Sequence, residues 1–304
     1  SCRSYKTGGH IPLLNINKSP KSIGVRAWRK FFRAVDTSVG GILCREQLQR
    51  PVFVLGCGRS GTTILGTVLS HHSMVTYLNE RRDLWVACYP ITDIWGKKAR
   101  SRGGKLTLTS RDEIPERSKK LHQLFKWQTL RSGSPILVEK LPINNFRVSF
   151  LQAIFPDALF VHILRNGIEV ARSIEREAGW YAKYNYRWDL IEEYAKSRPE
   201  TRDLVDLCNT DYEKGLLEWR LSLDTFYSST DMIDSDRILE ITYDELMQDP
   251  MQTTSKILGF LKLPSDDNSL KFAENNLARR HPKVTGEFRN KEMEIAGTYL
   301  ERWY

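Results

Sequence analysis

The stretch that decides the fold is PVFVLGCGRSGTTILGTVLSHH, residues 51–72. An apolar run ends in glycine, a loop of Gly, Ser, Thr, Cys and Arg follows, and a helical pattern then begins. Residues 51–56 read as a fully buried strand. Ile64, Leu65, Val68 and Leu69 recur at the spacing of an amphipathic helix. Gly56, Gly58 and Gly61 let the backbone curl so that successive N–H groups point inward. The following helix adds the positive end of its dipole. Thr62 and Thr63 add hydroxyls, and Arg59 adds a fixed charge with a planar fork of donors. This is the construction of a phosphate-binding loop. A nucleoside triphosphatase needs a lysine after the second glycine to reach the outer phosphates, and Thr62 stands there instead.

Working outward, residues 73–78, 135–141, 158–164 and 237–243 read as four more strands. Phe146, Phe150, Leu151 and Ile154 recur at helical spacing after the third strand. Asn166 reads as the N-cap of a helix after the fourth, with Glu169 three residues on in a capping-box pattern. Leu216, Trp219, Leu223 and Phe226 mark a long helix, and Asp249-Pro250 opens another, with proline at its first position. Strands alternating with helices predict a three-layer α/β/α fold around a central parallel sheet. Ligands of such a sheet sit at the carboxyl ends of its strands. Residues 97–120 are polar, Gly-containing and rich in both charges, and are expected to form a surface insertion or lid. No Gly/Pro-rich linker divides the chain. The expected organisation is an N-terminal extension, residues 1–50, with an amphipathic helix around residues 25–35, and one catalytic domain, residues 51–304.

The 304 residues are 40% hydrophobic and 27% charged, which suits a chain with a real core. No apolar run reaches the roughly 18 residues needed to span a bilayer, and no secretory leader is read at the N-terminus. Five cysteines, Cys2, Cys44, Cys57, Cys88 and Cys208, are scattered and include no C-x-x-C pair, so a zinc site is not expected. A reduced, cytoplasmic chain is the expectation. A net charge of +9 fits an anionic ligand, nucleic acid or an acidic membrane surface. No basic helix with interleaved aromatics stands out, so neither nucleic acid nor membrane is the expected partner.

A triphosphatase also needs a carboxylate at a strand end to hold Mg²⁺. The fourth strand, in FVHILRNG, delivers Arg165 instead. The pattern neutralises phosphate with arginine and backbone, argues against hydrolysis of a β–γ bond, and favours a nucleotide held by two separate phosphate groups without a metal.

These residues resemble the sulfotransferases that use 3′-phosphoadenosine 5′-phosphosulfate (PAPS). Their 5′-phosphosulfate loop is similar to Arg59-Ser60-Gly61-Thr62-Thr63. Their 3′-phosphate site, an arginine ending a later strand and a serine eight residues on, is matched by Arg165 and Ser173 in LRNGIEVARS. The resemblance covers roughly residues 51–260, nearest in layout to the tyrosylprotein and carbohydrate branch and to bacterial small-molecule enzymes. It implies a catalytic glutamate after the second strand, at Glu80 in YLNERRDLW, and a lysine after the third, at Lys140 in LVEKLP. Asp83, Glu139, His71, His72 and His162 are rival bases. Gly286-Glu287-Phe288-Arg289-Asn290 looks similar to a C-terminal segment beside the 3′-phosphate in the cytosolic branch. The cation it implies is Lys283, with Arg279 and Arg280 as rivals.

The implied reaction passes a sulfuryl group in line to a hydroxyl or nitrogen of a small-molecule acceptor such as a secondary metabolite. Positioning and charge stabilisation dominate such a transfer, with Glu80 as base and Lys140 and Arg59 at the charge on the leaving phosphate. Trp85, Trp95, Trp180 and Trp188 are candidates to line an acceptor pocket, and Glu80 with Asp83 would tolerate a cationic acceptor. The alternative reading is a small-molecule kinase with an atypical loop. A third is a nucleic-acid binder using the basic surface.

Overall fold

The computed structural model describes residues 47–303 apart from 96, 97, 178, 184, 232 and 278–288. The expected N-terminal extension apart from its last four residues, its helix around residues 25–35, and Arg279, Arg280, Lys283 and Gly286 to Phe288 lie outside the described residues.

Five strands form one parallel sheet: β1 (Val52–Leu55), β2 (Val75–Asn79), β3 (Ile136–Lys140), β4 (Leu159–Leu164) and β5 (Ile238–Thr242), in the order β2-β3-β1-β4-β5. All four pairings are parallel, with Val52 opposite both Val138 and Leu159. The fold is therefore the expected α/β class. β1, β3 and β4 are covered on both sides, which is why they read as continuous apolar runs with no alternation. Alternate residues nonetheless serve different layers. Val52, Val54, Val161 and Ile163 pack on one face against α1 (Thr62–Ser70) through Leu65, Val68 and Leu69. Phe53, Leu55 and Phe160 pack on the other. There the Phe53 ring lies 5.4 Å from Phe155 and 6.0 Å from Phe160.

The helices that follow α1 are α2 (Arg82–Cys88), α3 (Pro115–Ser132), α4 (Val148–Ile154) and α5 (Gly167–Glu175). They are followed by α6 (Trp180–Lys183), α7 (Asn185–Lys196) and α8 (Asp211–Thr230). The remaining four are α9 (Tyr243–Gln248), α10 (Pro250–Phe260), α11 (Asp267–Asn276) and α12 (Asn290–Ala296). Their caps follow the sequence signals. Asn166 Oδ1 accepts from the N–H groups of Ile168 and Glu169 at the start of α5. The Glu169 carboxylate accepts from Arg165 Nε at 3.0 Å rather than closing a capping box with Asn166. Thr210 and Glu213 form a reciprocal capping box on α8. Asp249 caps α10, with Pro250 at its first position.

The stretch 97–120 is divided in its structure. From Pro115 it is the start of α3, which buries Leu121, Leu124 and Phe125 in the core. Ahead of that, Leu106 and Leu108 are also buried. The fully buried Arg147 pins this part by donating to the carbonyls of Thr92 at 3.2 Å, Lys105 at 2.6 Å and Leu106 at 3.0 Å. Phe146, expected on the helix after β3, ends a 3-10 turn, Pro142–Phe146, and α4 begins at Val148. Pro142 at the start of that turn favours the tight entry.

Candidate active site

The parallel register lines up the carboxyl ends of the strands. Asn79 lies opposite Lys140, Leu55 opposite His162, and Leu164 opposite Thr242. The residues that leave these ends therefore meet along one edge. The chain builds β2 and β3 on one side of β1 and β4 and β5 on the other, so the crevice opens where the winding reverses. A cleft of about 350 Å³ lies there. It is lined by the loop from Gly58 to Ile64 and by residues from the ends of the other strands.

The loop is built as its glycines demand. Gly56 has φ 147° and Gly61 φ 100°, a region that favours glycine. A β-carbon at Gly61 would lie 2.6 Å from Cδ2 of Tyr243, so the aromatic ring fits only against glycine. Arg59 itself takes φ 71°, a left-handed conformation uncommon outside glycine. That conformation carries its side chain to Ser173: Arg59 Nε donates to Ser173 Oγ at 3.1 Å, across 114 residues of chain. Arg165 Nη1 donates to the carbonyl of Arg59 at 3.1 Å, and its guanidinium lies 4.2 Å over the Tyr243 ring. Ser60 and Thr62 are buried within the loop, and Thr63 faces the cleft.

At the other side of the loop Lys140 Nζ donates to Thr63 Oγ1 at 3.0 Å and to Glu80 Oε1 at 2.8 Å. Arg82 donates to Glu80 Oε2 at 2.6 Å. Glu80 has φ 51°, and its N–H donates to the Lys140 carbonyl at 2.9 Å, extending the β2–β3 ladder by one bond. Burial pushes the Glu80 carboxyl up, but Lys140 and Arg82 outweigh it and hold it below its ordinary value. Burial pulls Lys140 down, against the pull of Glu80.

The structure thus brings Arg59, Thr63, Glu80, Arg165 and Ser173 to the wall of one cleft, with Lys140 buried behind Thr63 and Glu80. It places the rival bases elsewhere. Asp83 is gripped by the Arg81 guanidinium at 2.9 to 3.2 Å. Glu139 is wholly buried on the opposite face of β3, accepting from Trp85 Nε1 and Asn144 Nδ2, each at 3.1 Å. Burial, resisted by those donors, pushes it up to about 7. His162 lies inside the sheet against Glu240 and the Phe226 ring. His71 and His72 close the far end of α1, on Phe272 and the Pro264 carbonyl. Of the four candidate tryptophans, Trp95 and Trp180 line the cleft, Trp85 is core, and Trp188 packs part-buried against the core.

Arg82, Arg187, Tyr243, Pro142 and Ile143 also line the cleft and were not singled out from the sequence. Tyr243 could have been found, since it directly follows the fifth strand. Arg187 could not: it reaches the loop only because α7 folds over it, where the fully buried Glu218 accepts from Arg187 Nη2 and, at 2.9 Å, from the Tyr181 hydroxyl. Among the described residues no three His, Cys, Asp or Glu side chains converge to hold a metal ion, and no helix is long and apolar enough to cross a membrane.

Comparison with known proteins agrees in family. An uncharacterized protein of Aquifex aeolicus is 26% identical over 263 residues, which is 84% of this chain and 30% of that protein. Protein-tyrosine sulfotransferase 1 of Danio rerio is 24% identical over 226 residues, 73% of this chain and 56% of that protein. The chain therefore spans only 30% and 56% of the length of these two relatives. Among solved structures, the sulfotransferase domain from the curacin biosynthetic pathway overlays with a TM-score of 0.48 at 14% identity, covering 83% of this chain and 97% of that one. The model of the sulfotransferase family matches residues 51–267, and the chain belongs to that family.

Proposed function

We propose that the chain transfers a sulfuryl group from PAPS to a hydroxyl or nitrogen of a small-molecule acceptor, with Glu80 as the base. The observation that carries this reading is the bond from Arg59 Nε to Ser173 Oγ. It ties a phosphate-binding loop to a second anion position, where Arg165 also arrives. Two anion positions one loop apart suit a nucleotide phosphorylated at both 3′ and 5′ positions, and the donor set of backbone N–H groups, hydroxyls and guanidinium groups suits phosphate.

In this account PAPS, when bound, supplies the activated sulfuryl group. The loop N–H groups, Arg59, Ser60, Gly61, Thr62 and Thr63 hold the 5′-phosphosulfate. Arg165 and Ser173 hold the 3′-phosphate, with Lys283 as a further cation. Lys140 Nζ, beside Thr63, meets charge that grows on the leaving oxygen. Glu80 takes the acceptor's proton on a carboxylate oxygen, a role typically worth ~10²–10⁴-fold in rate. Its lowered pKa keeps it ionised and ready to accept. No residue in this scheme requires a metal.

The test is binding of the product nucleotide, adenosine 3′,5′-bisphosphate, followed by thermal shift without added metal. A rise in melting temperature at saturating nucleotide that disappears in Arg165→Ala is the expected result. No shift at saturation sinks the proposal.

A further inference from the structure

Once two phosphate positions and a base have been assigned, two arginines of the cleft remain that the scheme gives no ligand. Arg82 leaves the start of α2 beside Glu80, and its guanidinium lies 4.0 Å over the Trp95 ring. Arg187 lies 5.5 Å over the Trp180 ring, which on its other contact carries Arg59 at 5.9 Å. A β-carbon placed on Gly58 would lie 3.6 Å from Arg187 Nη2, so this cation is in contact with the loop. Both are fixed. Arg82 is held by Glu80, and Arg187, 5% exposed, by the buried Glu218. Among the described residues, the Nε–H of each is buried without a hydrogen-bond acceptor.

A buried donor left unpaired is costly, and a guanidinium offers a flat face and fork suited to a carboxylate, sulfate or phosphate. Among the described residues, the charged side chains lining the cleft are Arg59, Arg82, Arg165, Arg187 and Glu80, with Glu169 and Glu218 pairing with Arg165 and Arg187 outside the lining. Asp83, the other acid close by in sequence, is spent on Arg81 and does not line the cleft. A cationic acceptor would approach Glu80 past Arg82 and meet like charge. Ile64, Pro142 and Ile143 add apolar wall beside the two Arg–Trp stacks, which suits a flat or apolar body next to the charged group.

Resting on the proposed transfer reaction, we infer that the acceptor is an anion: a flat or apolar molecule bearing a carboxylate, sulfate or phosphate, which Arg187 and Arg82 hold so that its hydroxyl or amine faces Glu80. Arg82 then has two duties. It orients Glu80 through Oε2, and the part of its guanidinium that remains exposed meets the acceptor's charge. The bond-making itself is unchanged: the acceptor oxygen or nitrogen bonds to sulfur, the bond from sulfur to the phosphate oxygen breaks with its electron pair, and the acceptor's proton passes to Glu80.

The experiment uses the protein saturated with adenosine 3′,5′-bisphosphate, so that the phosphate positions are filled. Benzoate, phenyl phosphate, benzyl alcohol and benzylamine are titrated in, with tryptophan fluorescence and thermal shift as readouts. Benzoate and phenyl phosphate are expected to bind at least about tenfold tighter than benzyl alcohol, and benzylamine weakest. The double variant Arg187→Gln/Glu218→Gln, which leaves no orphan carboxylate, should lose that preference and keep its nucleotide affinity within about twofold. Arg82→Gln, at a partly exposed side chain, is the second variant and should weaken benzoate in the same direction. Equal or tighter binding of benzylamine overturns the inference, as does a preference that survives both variants. If the double variant loses the nucleotide along with benzoate, Arg187 serves the nucleotide and the inference is wrong. Failure of the nucleotide to bind the unaltered protein is a separate result, which removes the transfer reading and this inference with it.

Discussion

Glu80 combines three constraints in one residue: a left-handed backbone, a carboxylate bonded on both oxygens, and a place one position beyond a strand. Because its folded pKa is lowered, its ionised form and the stabilisation from its pairs are complete above the ordinary carboxylate value. They are lost as pH falls through the lowered value. With Glu80 as base, kcat/KM should stay level on the acid side through the ordinary carboxylate range and fall only below it. An acid limb centred near pH 7 would contradict Glu80 as the base. Glu80→Gln should cut kcat by ~10²–10⁴-fold while nucleotide affinity changes little. Near-normal turnover in that variant moves the base elsewhere. At the second anion position, Ser173→Ala removes one charge-assisted donor and frees Arg59 Nε, and calorimetry should show bisphosphate binding about tenfold weaker or more. Arg59 and Arg165 could be picked out because each follows an apolar strand in a turn that opens a helix, whereas Glu80, Lys140 and Ser173 were named only through the family resemblance. Arg82 and Arg187 were found by neither route, because their place depends on which helix folds over the loop.

At the scale of elements, the contact between α5 and α8 sets where Arg165 and Ser173 lie. Trp219 is fully buried on α8, and its Nε1 donates to the carbonyl of Arg165 at 3.0 Å. Gly167 at the start of α5 makes room for that ring: a β-carbon there would lie 2.7 Å from Trp219 Cε3. Gly167→Ala should therefore cost about 1–3 kcal/mol in denaturant unfolding and weaken bisphosphate binding at the same time. A variant of lowered stability with unchanged binding would separate the packing from the site. Glu139 gives a second test, on β3. Its folded pKa is raised, so it favours the folded state least where the carboxyl ionises. Stability should decline from the ordinary carboxylate range up to about pH 7 on its account. Glu139→Gln should flatten that decline in melting temperature, and an unchanged profile would remove Glu139 as its source. The strands were readable as elements because parallel strands buried on both faces give unbroken apolar runs. Their order was not, since residues carry no mark of which neighbour they pair with. Residues 97–120 read as a polar insertion because the carbonyl anchor, Arg147, lies far along the chain on the approach to α4.

For the whole molecule, the charge of +9 and a cleft with four arginines give an attractive field for an anionic nucleotide. The same charge would serve a nucleic-acid binder, for which association with any duplex would fall steeply with salt. It is the pairing of two anion positions in one crevice that favours the nucleotide. The most direct test is calorimetric titration with adenosine 3′,5′-bisphosphate in the absence of metal, set beside ATP with Mg²⁺. The account predicts one site of sub-millimolar affinity for the bisphosphate, abolished by Arg165→Ala, and much weaker binding of ATP. Tight binding of ATP with Mg²⁺ and none of the bisphosphate would contradict it.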